Sequence, residues 1–128
     1  MSTRATYRFI PDDPGLIRLR PVVTVYVHRD GYPEGAAVYL KDAPTVEKFI
    51  RKNDRAEVTA RHEVHDDTEF RYDIHRQIEI KAYKRNWAGT SIGYGEDAEW
   101  IKFFDGSLSN FIETYQNTPV EFYDINSN

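Results

Sequence analysis

The chain has no cysteine. That excludes a disulfide framework, a thiolate metal site and a cysteine nucleophile. No apolar run approaches the ~18 residues of a membrane span, and residues 1–8 lack the apolar core of a signal peptide. The expectation is a soluble, cytoplasmic protein with no membrane partner. Strong charge of either sign is also missing, since the net charge is −4 over 128 residues. A duplex-wrapping protein is usually basic overall, which argues against duplex nucleic acid as a partner. The balance is uneven, however. Residues 1–95 carry sixteen Lys and Arg against fourteen acids, whereas residues 96–128 carry one Lys against seven acids. There is no internal repeat and no low-complexity tract. The length suffices for one core but not two, so residues 1–128 read as a single domain with a frayed tail at 126–128.

What the chain does hold is aromatic side chains: nine Tyr, seven Phe and two Trp. That weight of apolar rings argues for a folded chain. Alternation over 5–10 predicts a first strand, with Ala5, Tyr7 and Phe9 on one side. The β-branched run 22–28 predicts a second, and the two are expected to pair as an antiparallel hairpin. Asp30-Gly31 signals a tight turn. Pro33 suits a first helical position, and Glu34 suits the positive end of a helix dipole. A short helix should continue over 36–41. A second should run from about 44 to 52, burying Val46, Phe49 and Ile50.

Residues 57–77 read as a hairpin turning at 65–69. In that register Val64 faces Phe70, His62 faces Tyr72 and Ala60 faces Ile74. Glu63 then meets Arg71, and Arg61 meets Asp73, each pair contributing ~0.2–1 kcal/mol. The even-numbered stripe continues through Ile78, Ile80 and Ala82, interrupted by Arg76. With no glycine or proline in His75-Arg76-Gln77, one long strand over 70–84, bent at Arg76, is expected. Residues 86–97 read as a glycine-rich loop and 99–104 as an aromatic strand. Ser107 or Ser109 can cap a last helix, whose Leu108, Phe111, Ile112 and Tyr115 follow helical spacing. Residues 120–125 could add an edge strand. The order β-β-α-α-β-β-β-α predicts an α+β fold, a mainly antiparallel sheet with helices packed on one face.

Three constellations carry chemistry. The first is the motif loop of His28, Asp30, Gly31 and Tyr32. A His and an Asp near a helix start could act as base and acid, but no nucleophile accompanies them, and turn residues have this composition for structural reasons. The second is His62, His65 and His75. On a strand, residues three apart point to opposite faces, so no metal site is expected; His62 reads as a hydrogen-bonded core or interface residue. The third is Arg76 with Tyr83, Lys84, Arg85, Trp87 and Tyr94. Aromatic planes can stack on bases, and Lys84, Arg85 and glycine amides can hold phosphate. Arg76, inside an apolar stripe, either escapes to solvent at a bend or anchors an anion. This is not a phosphate-binding P-loop, because no Gly-Lys-Ser/Thr follows Gly89, Gly93 or Gly95.

The opening Met1-Ser2-Thr3-Arg4, with a strand leading into His28-Arg29-Asp30-Gly31-Tyr32-Pro33-Glu34-Gly35, resembles a group of small proteins common in bacteriophages and prophages. Those begin Met-Ser-Thr-Arg and carry His-Trp-Asp-Gly-Tyr-Pro-Glu about 25 residues in; Arg29 stands here where Trp is usual. The likeness covers roughly the first 40 residues. It implies a phage or mobile-element origin, hence a host-cell cytoplasm, but no reaction. Such proteins often act against host defence by binding.

The expectation is therefore a non-enzymatic accessory protein without a cofactor, forming a homo-oligomer. It would either sequester a small linear or cyclic nucleotide signal or dock on a host defence protein through its acidic C-terminal third. The alternative is a small phosphoester hydrolase or nuclease using His28 and Asp30.

Overall fold

The computed structural model describes residues 3–11, 22–41, 43, 45–53, 56–65, 67–86 and 99–116. Within them lie six strands and three helices: β1 (Ala5–Ile10), β2 (Val23–Val27), α1 (Pro33–Leu40), α2 (Val46–Lys52), β3 (Glu57–Thr59), β4 (Phe70–His75), β5 (Glu79–Arg85), β6 (Trp100–Ser107) and α3 (Leu108–Gln116). The strands form one sheet in the order β3-β2-β1-β4-β5-β6. Only the central β1–β4 pair is parallel; every other pair is antiparallel. The fold is α+β, with a largely antiparallel sheet and its helices packed against one face, as the element pattern predicts. Residues 120–125, the expected edge strand, lie outside the described residues.

Period-two alternation assigns the two faces. Ala5, Tyr7 and Phe9 of β1, Val25 and Val27 of β2, Tyr72 and Ile74 of β4, and Ile80 and Ala82 of β5 form the core with Leu40, Phe49, Leu108 and Phe111 from the helices. Tyr7 sits at the centre, its ring 4.6 Å from Phe49 and 4.9 Å from Tyr72. The helix ends follow their signals. Pro33 opens α1, the Thr45 hydroxyl accepts from Lys48 N–H at the start of α2, and Ser107 Oγ accepts from Asn110 N–H at the start of α3.

Two expectations fail. The 57–77 hairpin does not form: β3 pairs with β2, while β4 lies between β1 and β5. The chain must cross β2 and β1 to pass from β3 to β4, and residues 60–65 and 67–69 lie along that crossing on the face opposite the helices. They carry a 3₁₀ turn at His62–Val64 in place of a strand. A favourable register between two segments does not help when each finds another neighbour: β3 takes β2 and β4 takes β1. The long bent strand fails as well. Residues 76–78 are a tight turn closed by Ile78 N–H to His75 C=O at 3.1 Å. Arg76 and Gln77 both take positive φ, 52° and 64°, as a type I′ turn requires. Placing non-glycine residues there costs roughly 1–2 kcal/mol each. Six paired positions from Phe70↔Lys84 to His75↔Glu79 offset that strain.

Candidate functional site

The motif loop is a structural joint. Gly31 packs on β1, where a methyl would lie 2.6 Å from Ala5 Cβ. Its N–H donates to Thr3 C=O at 2.9 Å, and its C=O accepts from Tyr72 Oη–H at 2.6 Å. Asp30 sits at φ 55°, and its carboxylate accepts from the Tyr32 and Tyr39 hydroxyls, each at 3.2 Å. His28 instead pairs with Glu57 at 3.2 Å and meets Tyr26 edge-on. His28 and Asp30 thus serve different partners and share none of these contacts.

Burial and the Asp30 carboxylate push Tyr39 up to about 12. Burial likewise raises Tyr7 and Tyr26. A raised folded-state value favours the protonated phenol, so Tyr39 stabilises the fold fully below about pH 10 and loses that effect as pH climbs through about 12; Tyr7 and Tyr26 keep theirs to higher pH. Urea midpoints should fall across this window, and Tyr39→Phe should flatten part of the fall. An unchanged slope in Tyr39→Phe would refute the assignment.

On the helix-free face, residues 60–65 and 67–69 form a strap held by polar contacts. His62 is buried and joins two strands. Its Nε2 lies 2.7 Å from Asp73 Oδ1 on β4, and its Nδ1 lies 2.6 Å from Thr6 Oγ1 on β1. An ionised carboxylate only accepts, so neutral His62 carries its proton on Nε2 and Nδ1 accepts from the Thr6 hydroxyl. Hydroxyl, imidazole and carboxylate follow the order of a nucleophile triad, but Thr6 has no exposed surface and cannot reach a substrate. This chain of bonds is a clamp. Further along, His65 stacks on Tyr26 with ring centres 3.8 Å apart, and Asp67 accepts both contacts from the Tyr26 hydroxyl and pairs with Arg4 at 3.3 Å.

The strongest electrostatic feature lies beside that strap. Register places Arg71 opposite Tyr83 and Arg85 opposite Trp100, all on the helix-free face. The Arg71 guanidinium carbon sits 4.0 Å from the Trp100 ring centre and that of Arg85 5.3 Å. Both arginines are buried, at 9% and 4% exposure. Burial lowers Arg71 from the ordinary guanidinium value; Glu63 opposes this and Arg85 adds to it. Arg71 Nη1 reaches the Glu63 carboxylate only at 3.8 Å. Burial also raises the nearby Glu69 carboxyl, against the pull of Arg4 and Arg85. Two guanidiniums thus meet at one indole under partial cover, with Glu63, Asp73 and Glu69 acting on them.

Few of the residues grouped by sequence meet here. Tyr83 and Arg85 do. Lys84, between them, points to the helix-covered side and is exposed, as strand alternation requires. Arg76 sits in the turn at the opposite end of β5, roughly 20 Å or more from Arg85 at ~3.3 Å per residue. It is exposed there and pairs with Glu79 at 2.8 Å. Trp87 and Tyr94 lie outside the described residues, as does most of the 86–97 loop. The sequence alone does not single out Arg71 or Trp100: it makes the first a cross-strand partner of Glu63 and sets the second only within an aromatic strand over 99–104. A turn at 76–78 would have exposed them, because it sets Arg71 against Tyr83 and next to Arg85.

The chain matches no protein-family model, no curated protein and no solved structure. Among the described residues no three His, Asp or Glu side chains converge as a metal site would need, and no helix is long and apolar enough to cross a membrane.

Proposed function

We propose that this protein works by binding and that its helix-free sheet face takes a small anionic ligand of the nucleotide class. The observation that carries this reading is the pair of buried guanidiniums on Trp100, with the half-buried Tyr83 directly across from Arg71. Guanidiniums hold phosphate oxygens in fixed geometry, and a tyrosine ring offers a plane for a base. Neither hydroxyl–imidazole pair among the described residues favours turnover: that of Thr6 is sealed under the strap, and that of Thr59, 2.9 Å from His65 Nε2, has no carboxylate among the described residues behind its imidazole. With the phage-like opening and motif loop, the reading becomes sequestration of a nucleotide signal used in host defence.

The test is ligand-induced thermal stabilisation across linear and cyclic nucleotides. A ligand at a hundredfold excess over its Kd stabilises by about 2.7 kcal/mol, which raises Tm by about 10 °C for a chain of this size. Tyr83→Ala should remove most of that rise. A flat response to the whole panel would sink the reading.

A further inference from the structure

The structure assigns an oxyanion site to the Nε–Nη2 edge of Arg71, one that fits a phosphate monoester group. Of the three guanidinium nitrogens, Nη1 faces Glu63. The other two, Nε and Nη2, are buried and have no hydrogen-bond acceptor among the described residues. They form one side of the guanidinium fork, the side that grips a carboxylate or phosphate with two parallel bonds. The Trp100 Nε1–H is likewise buried and without an acceptor among the described residues, in the ring that Arg71 overlies. Three donors in one cluster with no acceptor is the wrong balance for a closed structural site, because a buried unsatisfied donor costs about 1–3 kcal/mol, and more for a charged group. It is the right balance for a bound oxyanion.

The Arg85 guanidinium supplies a second positive charge at the same indole. Glu63, Asp73 and Glu69 lie around the two arginines and offset that charge, so the preference for phosphate rests on the donors: three of them suit the three terminal oxygens of a phosphate monoester better than the two of a carboxylate. Because Arg71 already covers one side of Trp100, the indole is not the base platform. The ligand's phosphate end belongs on Arg71, and a ring, if it has one, belongs towards Tyr83.

This inference rests on the binding role proposed above but can be separated from it. The experiment is titration of the full chain with inorganic phosphate, followed by calorimetry and by phosphorus NMR line width, against chloride at equal ionic strength. The wild-type protein should bind phosphate. Arg71→Gln should weaken it roughly tenfold to a hundredfold. Arg71→Lys keeps the charge but loses the two-pronged edge, and should also bind less tightly than wild type. Trp100→Phe keeps the packing and drops one neutral donor, so a loss of about two- to tenfold is expected. Absence of phosphate binding to wild type, or equal affinity in Arg71→Gln and wild type, would overturn the site. Should Arg71→Gln fail to fold, the wild-type titration and Trp100→Phe decide, with an unchanged affinity in Trp100→Phe counting against the site. Phosphate binding without any nucleotide response leaves the oxyanion site standing and removes the nucleotide reading. Equal nucleotide stabilisation of wild type and Arg71→Gln does the reverse.

Discussion

Gly35→Ala is expected to destabilise the protein by about 3 kcal/mol or more, against a helix propensity that favours alanine by about 1 kcal/mol. The two effects have opposite signs, which makes the substitution diagnostic. Gly35 lies in the first turn of α1. A methyl there would sit 2.0 Å from the Asp30 carbonyl oxygen, 2.8 Å from its carbonyl carbon and 2.9 Å from its Cβ. These are mostly backbone atoms, so no side-chain rotation relieves the clash. Asp30 cannot retreat freely either. It is held at φ 55°, and its carboxylate accepts from Tyr32 and Tyr39. Moving it also drags Gly31, whose N–H and C=O tie the loop to Thr3 and Tyr72. Urea unfolding with the slope held constant measures the change. A midpoint equal to or above wild type would show that the joint does not hold this close approach.

His62→Ala should cost about 3–5 kcal/mol. The loss combines an imidazole-sized void with two groups stripped of their partner: the wholly buried Thr6 hydroxyl and the Asp73 carboxylate, 16% exposed. Each stranded buried polar group costs about 1–3 kcal/mol. His62→Phe refills the volume and leaves the polar loss, so it should recover only part. Thr6→Val in the His62→Phe background removes one stranded hydroxyl. It should therefore cost less there than in wild type, by a coupling of about 0.5–3 kcal/mol. The loss should also be local. Hydrogen exchange along 60–69 should accelerate first, since the strap loses its link to β1 and β4, and Glu63 would loosen from Arg71. Additive effects of Thr6→Val and His62→Phe would deny that the two act as one clamp.

The joint and the clamp differ in how far they could be read in advance. Asp30-Gly31 and Pro33-Glu34 are local signals. Their φ demands and dipole preference are written within a few residues, and the structure places the turn and α1 where those signals stand. The same holds for the strand alternation of β1 and β2, the Ser107 cap and the helical spacing of α3. Short-range physics determined each of these.

What the sequence by itself determined is thus the three helices, the strands β1, β2 and β6, their apolar faces and the α+β class. Pairing was decided only in three dimensions. The 57–77 register satisfied two charge pairs and an apolar stripe, yet β3 takes β2 and β4 takes β1, because strand choice depends on every neighbour available rather than on one favourable pair. Arg76 and Gln77 carry no turn signature, and only the completed β4–β5 ladder makes their positive φ affordable. The candidate site follows from that turn. Until β5 folds back along β4 and β6 joins it, Arg71, Arg85 and Trp100 are separate letters up to 29 positions apart. Antiparallel register brings them onto the helix-free face, where two buried guanidiniums meet one ring and leave three donors, two of Arg71 and one of Trp100, without an acceptor among the described residues.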